Sequence, residues 1–69
     1  MKWAICIDNH GYQASLEVRK LYAVQDDERA QALGLVRVVD ESGESYLYPD
    51  AMFASIAIAQ PLEARLMAA

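Results

Sequence analysis

Turn-forming residues cut this 69-residue chain into short apolar runs, and that punctuation limits the fold more than any other feature of the sequence. The apolar runs are Trp3-Ala4-Ile5-Cys6-Ile7, Leu21 to Gln25, Leu35-Val36-Arg37-Val38-Val39, Ser45-Tyr46-Leu47-Tyr48 and Phe53 to Ala59. Between them fall Asp8-Asn9-His10-Gly11, Asp26-Asp27-Glu28, Asp40-Glu41-Ser42-Gly43-Glu44 and Pro49-Asp50. Runs this short, rich in β-branched and aromatic residues and bounded by Gly, Pro, Asn and Asp, read as strands. The chain is expected to be mainly β, with five strands.

The second strand is expected to open early, Tyr12 to Lys20 alternating Leu16 and Val18 against Glu17 and Arg19 before Leu21 to Gln25. Asp27 suits the N-cap of a short helical turn through Leu33, with Glu28 in the first turn and Gly34 just past the end. Gly43 suits the left-handed position of a tight hairpin between the third and fourth strands. Pro49 lacks an amide donor, so a strand stops there, and Pro49-Asp50-Ala51-Met52 reads as a 3₁₀ turn. Along the fifth strand Phe53, Ser55, Ala57 and Ala59 share one face, and Ala54, Ile56 and Ile58 the other. Pro61 at a first helical position makes a helical tail through Met67. The expected organisation is a small barrel over residues 1–59 and a C-terminal tail over 60–69.

Composition excludes more than it specifies. A domain near 60 residues buries only about 60% of its unfolded surface, so stability is marginal without a staple. Cys6 is the only cysteine and no metal-ligand spacing surrounds it, so the apolar core must carry the fold, helped by any self-association. The 6 basic residues against 10 acidic ones leave a net charge of −4. Acidity and scattered cations disfavour nucleic acid, whose non-specific binding rests on Lys and Arg at phosphates. The longest apolar stretch, Ala51 to Ala59, falls short of the roughly 20 residues that span a bilayer. With no signal-peptide pattern at Met1 to Asp8, a cytoplasmic protein is expected.

Ser15-Leu16-x-x-x-Lys20-Leu21-Tyr22-x-Val24, the Ser42-Gly43 hairpin and Tyr48-Pro49-x-x-Met52-Phe53 follow one another in an order that resembles the SH3-like barrel, and in particular a group of small bacterial proteins of that fold and of unknown function. The resemblance runs from about Trp3 to Ile58. It implies a five-stranded barrel with a diverging turn within Leu16 to Val24, a distal hairpin at Glu41 to Glu44 and a 3₁₀ turn at Pro49 to Met52. The departures bear on function. SH3 domains dock polyproline ligands on an aromatic shelf; at the matching places this sequence has Ile7-Asp8-Asn9, Leu35-Val36 and Pro49-Asp50-Ala51-Met52, and only Pro49 is kept. Arg19 stands where the diverging turn usually carries Gly, a position where a side chain is strained at positive φ.

Three functional readings follow. The preferred one is a non-enzymatic protein-interaction module, with no cofactor or metal, an unidentified protein partner, and Tyr12, Leu47, Met52 and Pro49 as its contact surface, because Tyr anchors interfaces and Met adapts to varied partners. The second is a nucleic-acid-binding barrel, which requires Lys2, Arg19, Lys20 and Arg37 on one face with an aromatic. The third is a metal-binding protein or enzyme using His10 and Cys6, the side chains that act as base, nucleophile or soft ligand near neutral pH. The acidic loops, Asp26 to Glu28 and Asp40, Glu41 and Glu44, are expected to be solvated; they lack calcium-loop spacing. Leu62, Leu66 and Met67 form a narrow apolar stripe on the tail, which docks on the barrel or pairs weakly with a second copy, so the chain is expected to be a monomer or a weak homodimer.

Overall fold

In the computed structural model, which describes residues 2–68, five antiparallel strands form one sheet: β1 (Lys2–Cys6), β2 (Leu21–Gln25), β3 (Leu35–Val39), β4 (Ser45–Pro49) and β5 (Phe53–Ile56). Helix α1 (Glu28–Ala32) joins β2 to β3, a 3₁₀ turn (Asp50–Met52) joins β4 to β5, and α2 (Gln60–Ala68) follows β5. The strands lie in the order β4-β3-β2-β1-β5. β4 and β5 are therefore edges: the five expected strands are present, but in an open sheet that does not close into the expected barrel.

Two expected boundaries move. Residues 12–20 form successive turns, and only Leu21–Gln25 is strand. The alternation of Leu16 and Val18 marks an anchor instead: Leu16 is buried in the core while Val18 is exposed. Local hydrogen bonds hold the segment, from Leu16 N–H to Tyr12 O at 2.8 Å and from the Asn9 side-chain amide to Leu16 O at 2.9 Å. β5 ends at Ile56, not at Ala59.

Register fixes the two faces of the sheet, because side chains alternate along each strand and cross-strand partners share a side. Ala4 and Cys6 of β1, Tyr22 of β2, Val36 and Val38 of β3, Tyr46 and Tyr48 of β4 and Phe53 and Ser55 of β5 share the inner face. There Cys6, Leu16, Val38 and Tyr48 form the buried cluster, with Tyr22, Val36, Met52 and Phe53 packed around it. Edge-on aromatic contacts fill the cluster: Tyr12 on Tyr48 at 5.3 Å and Tyr22 on Phe53 at 5.9 Å between ring centres.

The turns form for identifiable reasons. Asp27 caps α1, its Oδ1 accepting from Ala30 N–H at 3.0 Å, and Gly34 follows the helix at φ +72°. In the β3–β4 hairpin, Asp40 Oδ1 accepts from the Ser42 amide at 2.9 Å, the Ser42 hydroxyl at 2.6 Å and the Glu44 amide at 3.2 Å. Gly43 takes φ +88° there. Arg19 has φ +74°, so a residue with a side chain occupies the left-handed region at this turn. Its amide donates to Cys6 O at 2.7 Å, a bond that ties the turn to β1.

Candidate functional site

The outward face of the sheet carries apolar side chains in register across four neighbouring strands. Ile56, Trp3, Ala23 and Val39 are cross-strand partners in one row spanning β5, β1, β2 and β3. A second row, Ala54, Ile5 and Leu21, runs beside it. Trp3, Ile5, Leu21, Ala23 and Val39 are half-buried, and Ile56 is 40% exposed. On β4, Leu47 faces the same way and is 41% exposed. Trp3 stands at the middle of this surface, and its indole Nε1 is buried without a hydrogen-bond partner among the described residues. A buried donor left unmade costs about 1–3 kcal/mol, so the ring's position is held by packing against that cost.

The sequence holds a signal for this surface. Trp3-Ala4-Ile5-Cys6-Ile7 is apolar without alternation, which a half-solvated antiparallel strand does not need. One parity, Ala4 and Cys6, supplies the core; the other, Trp3 and Ile5, supplies the outward patch.

The four residues expected as a contact surface divide between the faces. Tyr12 lies against Tyr48 and is 38% exposed, while Met52 is half-buried against the core cluster. Leu47 and Pro49 point outward from β4. Leu47 sits opposite Arg37 and diagonal to Val39 at the end of the first row, whereas Pro49, opposite Leu35, lies beyond Gln25 and Arg37 from it.

Polar interactions engage several of the cations. Arg37 Nε donates to Asp27 Oδ2 at 2.8 Å, and its terminal nitrogen donates to the Ser45 hydroxyl at 2.9 Å. Asp27 thus serves two elements with its two oxygens. The Ala30 amide, then the Arg37 side chain, hold its carboxyl below the usual carboxylate range. Lys2 pairs with Asp26 at 2.9 Å on the surface, where both remain mostly exposed and the pair contributes little. Lys20 lies 5.4 Å from the centre of the Tyr22 ring. Arg37, on the outward side, and Lys2, on the inner side of β1, do not share one face.

Cys6 is fully buried, its thiol donating to Asp8 O at 3.3 Å, whereas His10 is exposed and its amide donates to Asp8 Oδ1 at 2.9 Å. That is a turn closed on itself. Among the described residues no three His, Cys, Asp or Glu side chains gather where they could hold a metal ion. A cleft of about 120 Å³ at the Lys2 end of the sheet is lined by Trp3, Gln25, Gln31, Arg37, Asp50 and Ser55 among others. Pockets for drug-sized molecules measure roughly 300–1,000 Å³, so this one admits only a few waters or a very small ligand. Among the described residues no helix is long and apolar enough to cross a membrane. Comparison with protein-family models, with curated proteins and with solved structures found no match to this chain.

Proposed function

We propose that this chain is a non-enzymatic protein-interaction module of SH3-like type, working in the bacterial cytoplasm, and that its contact surface is the outward face of the sheet around Trp3. The observation that carries the reading is the row Ile56–Trp3–Ala23–Val39, apolar across four neighbouring strands and flanked by Ile5, Leu21 and Leu47. A rigid tryptophan ringed by aliphatic side chains is the composition of an interface anchor, large in area and low in entropy cost. The antiparallel hairpin at Ser42-Gly43 and the 3₁₀ turn ahead of β5 support the SH3-like assignment, and the positive φ at Arg19 fits a diverging turn. The contact differs from polyproline docking, because the aromatics Tyr48 and Phe53 are spent on the core.

Photo-crosslinking in the cell of origin tests this. A benzophenone amino acid at Leu47, on the outward face, should give an adduct of discrete mass with a different protein, and the same group at Tyr46, on the opposite face, should not. Equal labelling from both positions, or none from Leu47, defeats the reading.

A further inference from the structure

We propose that β5 pairs antiparallel with β5 of a second copy of this chain, about a two-fold axis through Ser55, so that two open sheets join into one of ten strands.

β5 leaves one residue's backbone groups unused. Ile7 N–H donates to Met52 O at 2.8 Å, and the register continues Cys6 opposite Phe53, Ile5 opposite Ala54, Ala4 opposite Ser55 and Trp3 opposite Ile56. Hydrogen-bonded and non-hydrogen-bonded pairs alternate in an antiparallel ladder. Ala54 and Ile56 therefore turn their amides and carbonyls to β1, while Phe53 and Ser55 turn theirs away. The other side of β1 agrees: Cys6 N–H donates to Lys20 O and Cys6 O accepts from Arg19, so even-numbered residues of β1 address β2 and odd-numbered ones address β5. The Phe53 amide is taken by Asp50 O at the end of the 3₁₀ turn. Among the described residues the Ser55 N–H and C=O have no partner.

An antiparallel strand satisfies both groups of Ser55 at once, and a second β5 does so reciprocally. Centred on Ser55, the register sets Ser55 against Ser55, Ala54 against Ile56 and Phe53 against Ala57. It leaves no charge opposite a like charge, because residues 51–62 contain no ionisable side chain in a molecule whose net charge is −4. The other edge is blunted by Pro49 and the acidic Glu41 and Glu44 of its hairpin; β5 carries neither proline nor charge.

The area agrees. A compact monomer of this mass exposes about 4,300 Å², and this chain exposes 5103 Å². The excess, about 800 Å², matches what one partner of a standard interface buries. Ile56, 40% exposed, lies on the strand that would pair. The inference concerns the edge of the sheet and does not depend on the outward face having a foreign partner.

Sedimentation equilibrium on the full chain, from micromolar to millimolar concentration, should show a mass rising toward twice 7.7 kDa. Ser55→Pro removes only an amide that points away from β1, and should abolish the dimer with an unchanged circular dichroism spectrum. If that variant does not fold, Ser55→Lys places a charge on the edge and should abolish the dimer likewise. Residues paired through hydrogen bonds stand about 5.5 Å apart at Cα, within disulfide range. Ser55→Cys with oxidised glutathione should therefore give a covalent dimer on a non-reducing gel, and the wild type should not, since Cys6 is buried. A wild type that stays monomeric at millimolar concentration, a dimer undiminished in Ser55→Lys, or a Ser55→Cys variant that does not cross-link overturns the proposal.

Discussion

The two sides of the sheet are held by different physics. On the β3–β4 side, Asp27 bonds α1 and Arg37, Arg37 bonds Ser45, and Asp40 closes the hairpin on Ser42 and Glu44, so charge-assisted hydrogen bonds fix each turn. On the β5–α2 side, residues 51–62 have no ionisable group, β5 is paired on one flank only, and its side chains beyond Phe53 are exposed. Directional bonds specify one geometry, whereas apolar area specifies only that it be covered. The turns of the polar side are closed by bonds within the chain, whereas β5 on the apolar side has a strand on one flank only.

The largest effect should separate the sides by core burial. Val38 is 3% exposed on β3, and Val38→Ala should cost about 2 kcal/mol through two lost methyl groups and the cavity they leave. Ile56, 40% exposed on β5, should cost less than about 1 kcal/mol as Ile56→Ala at concentrations that keep the chain monomeric. Urea unfolding midpoints of both variants check this. Equal costs would mean that β5 is packed as tightly as β3, and the contrast between the sides would fail.

A smaller effect should appear on the polar side as pH dependence. Asp27 is held low chiefly by the Ala30 amide and then by Arg37. Because its folded value lies below its unfolded one, the ionised form stabilises the fold above about pH 4, and this contribution is lost as pH falls through the folded value. Asp27→Asn keeps an acceptor for the Ala30 amide but loses the charge beside Arg37. It should be less stable than wild type at neutral pH and lose less on acidification, the remaining acid dependence coming from Asp40, held low first by the Ser42 hydroxyl. An unchanged acid limb in urea titrations would show that the Asp27–Arg37 pair contributes nothing to stability.

The difference between the sides also decides what the sequence made legible. Asp27 with Gly34, Asp40 with Gly43, and Pro49 with Asp50 mark their turns because each has a short-range mechanism written in neighbouring residues. The segment 12–20 was misleading: Leu16 and Val18 alternate as in a strand, yet only Leu16 is buried, and local turn bonds from Tyr12 and Asn9 outcompete the ladder. Closure of the sheet depends on whether β4 and β5 meet, a long-range relation that no local pattern encodes. The outward patch assembles from Trp3, Ala23, Val39 and Ile56, distant in sequence; strand parity alone places Leu47 on that face, whereas the loop position of Tyr12 and the adaptability of Met52 carry no such information, and both pack on the inner cluster.

Next in size is Arg19, the one non-glycine residue at positive φ among the described residues. Arg19 holds φ +74° without the freedom of glycine, and its side chain is exposed. Arg19→Gly should stabilise the chain by up to about 1 kcal/mol, the relief of a left-handed residue partly offset by a more flexible unfolded state. A destabilised variant would mean that the Arg19 side chain contributes more than its backbone costs.

The smallest effect tests whether the polar side extends to the exposed rim of β4. The Tyr46 hydroxyl donates to Glu44 Oε2 at 2.6 Å, and that bond, followed by the Glu44 charge, raises the pKa of the phenol. A raised folded value favours the protonated form, so the contribution is fully present below the unfolded value, about pH 10, and is lost as pH rises through the folded one. Tyr46→Phe should therefore be slightly less stable than wild type at neutral pH, with the gap closing in alkali. Because the ring is 46% exposed, water competes for both groups and the gap is small. A difference that persists unchanged above the phenol's titration would assign it to the packing of the ring against β4 and end the hairpin's polar network at Glu44.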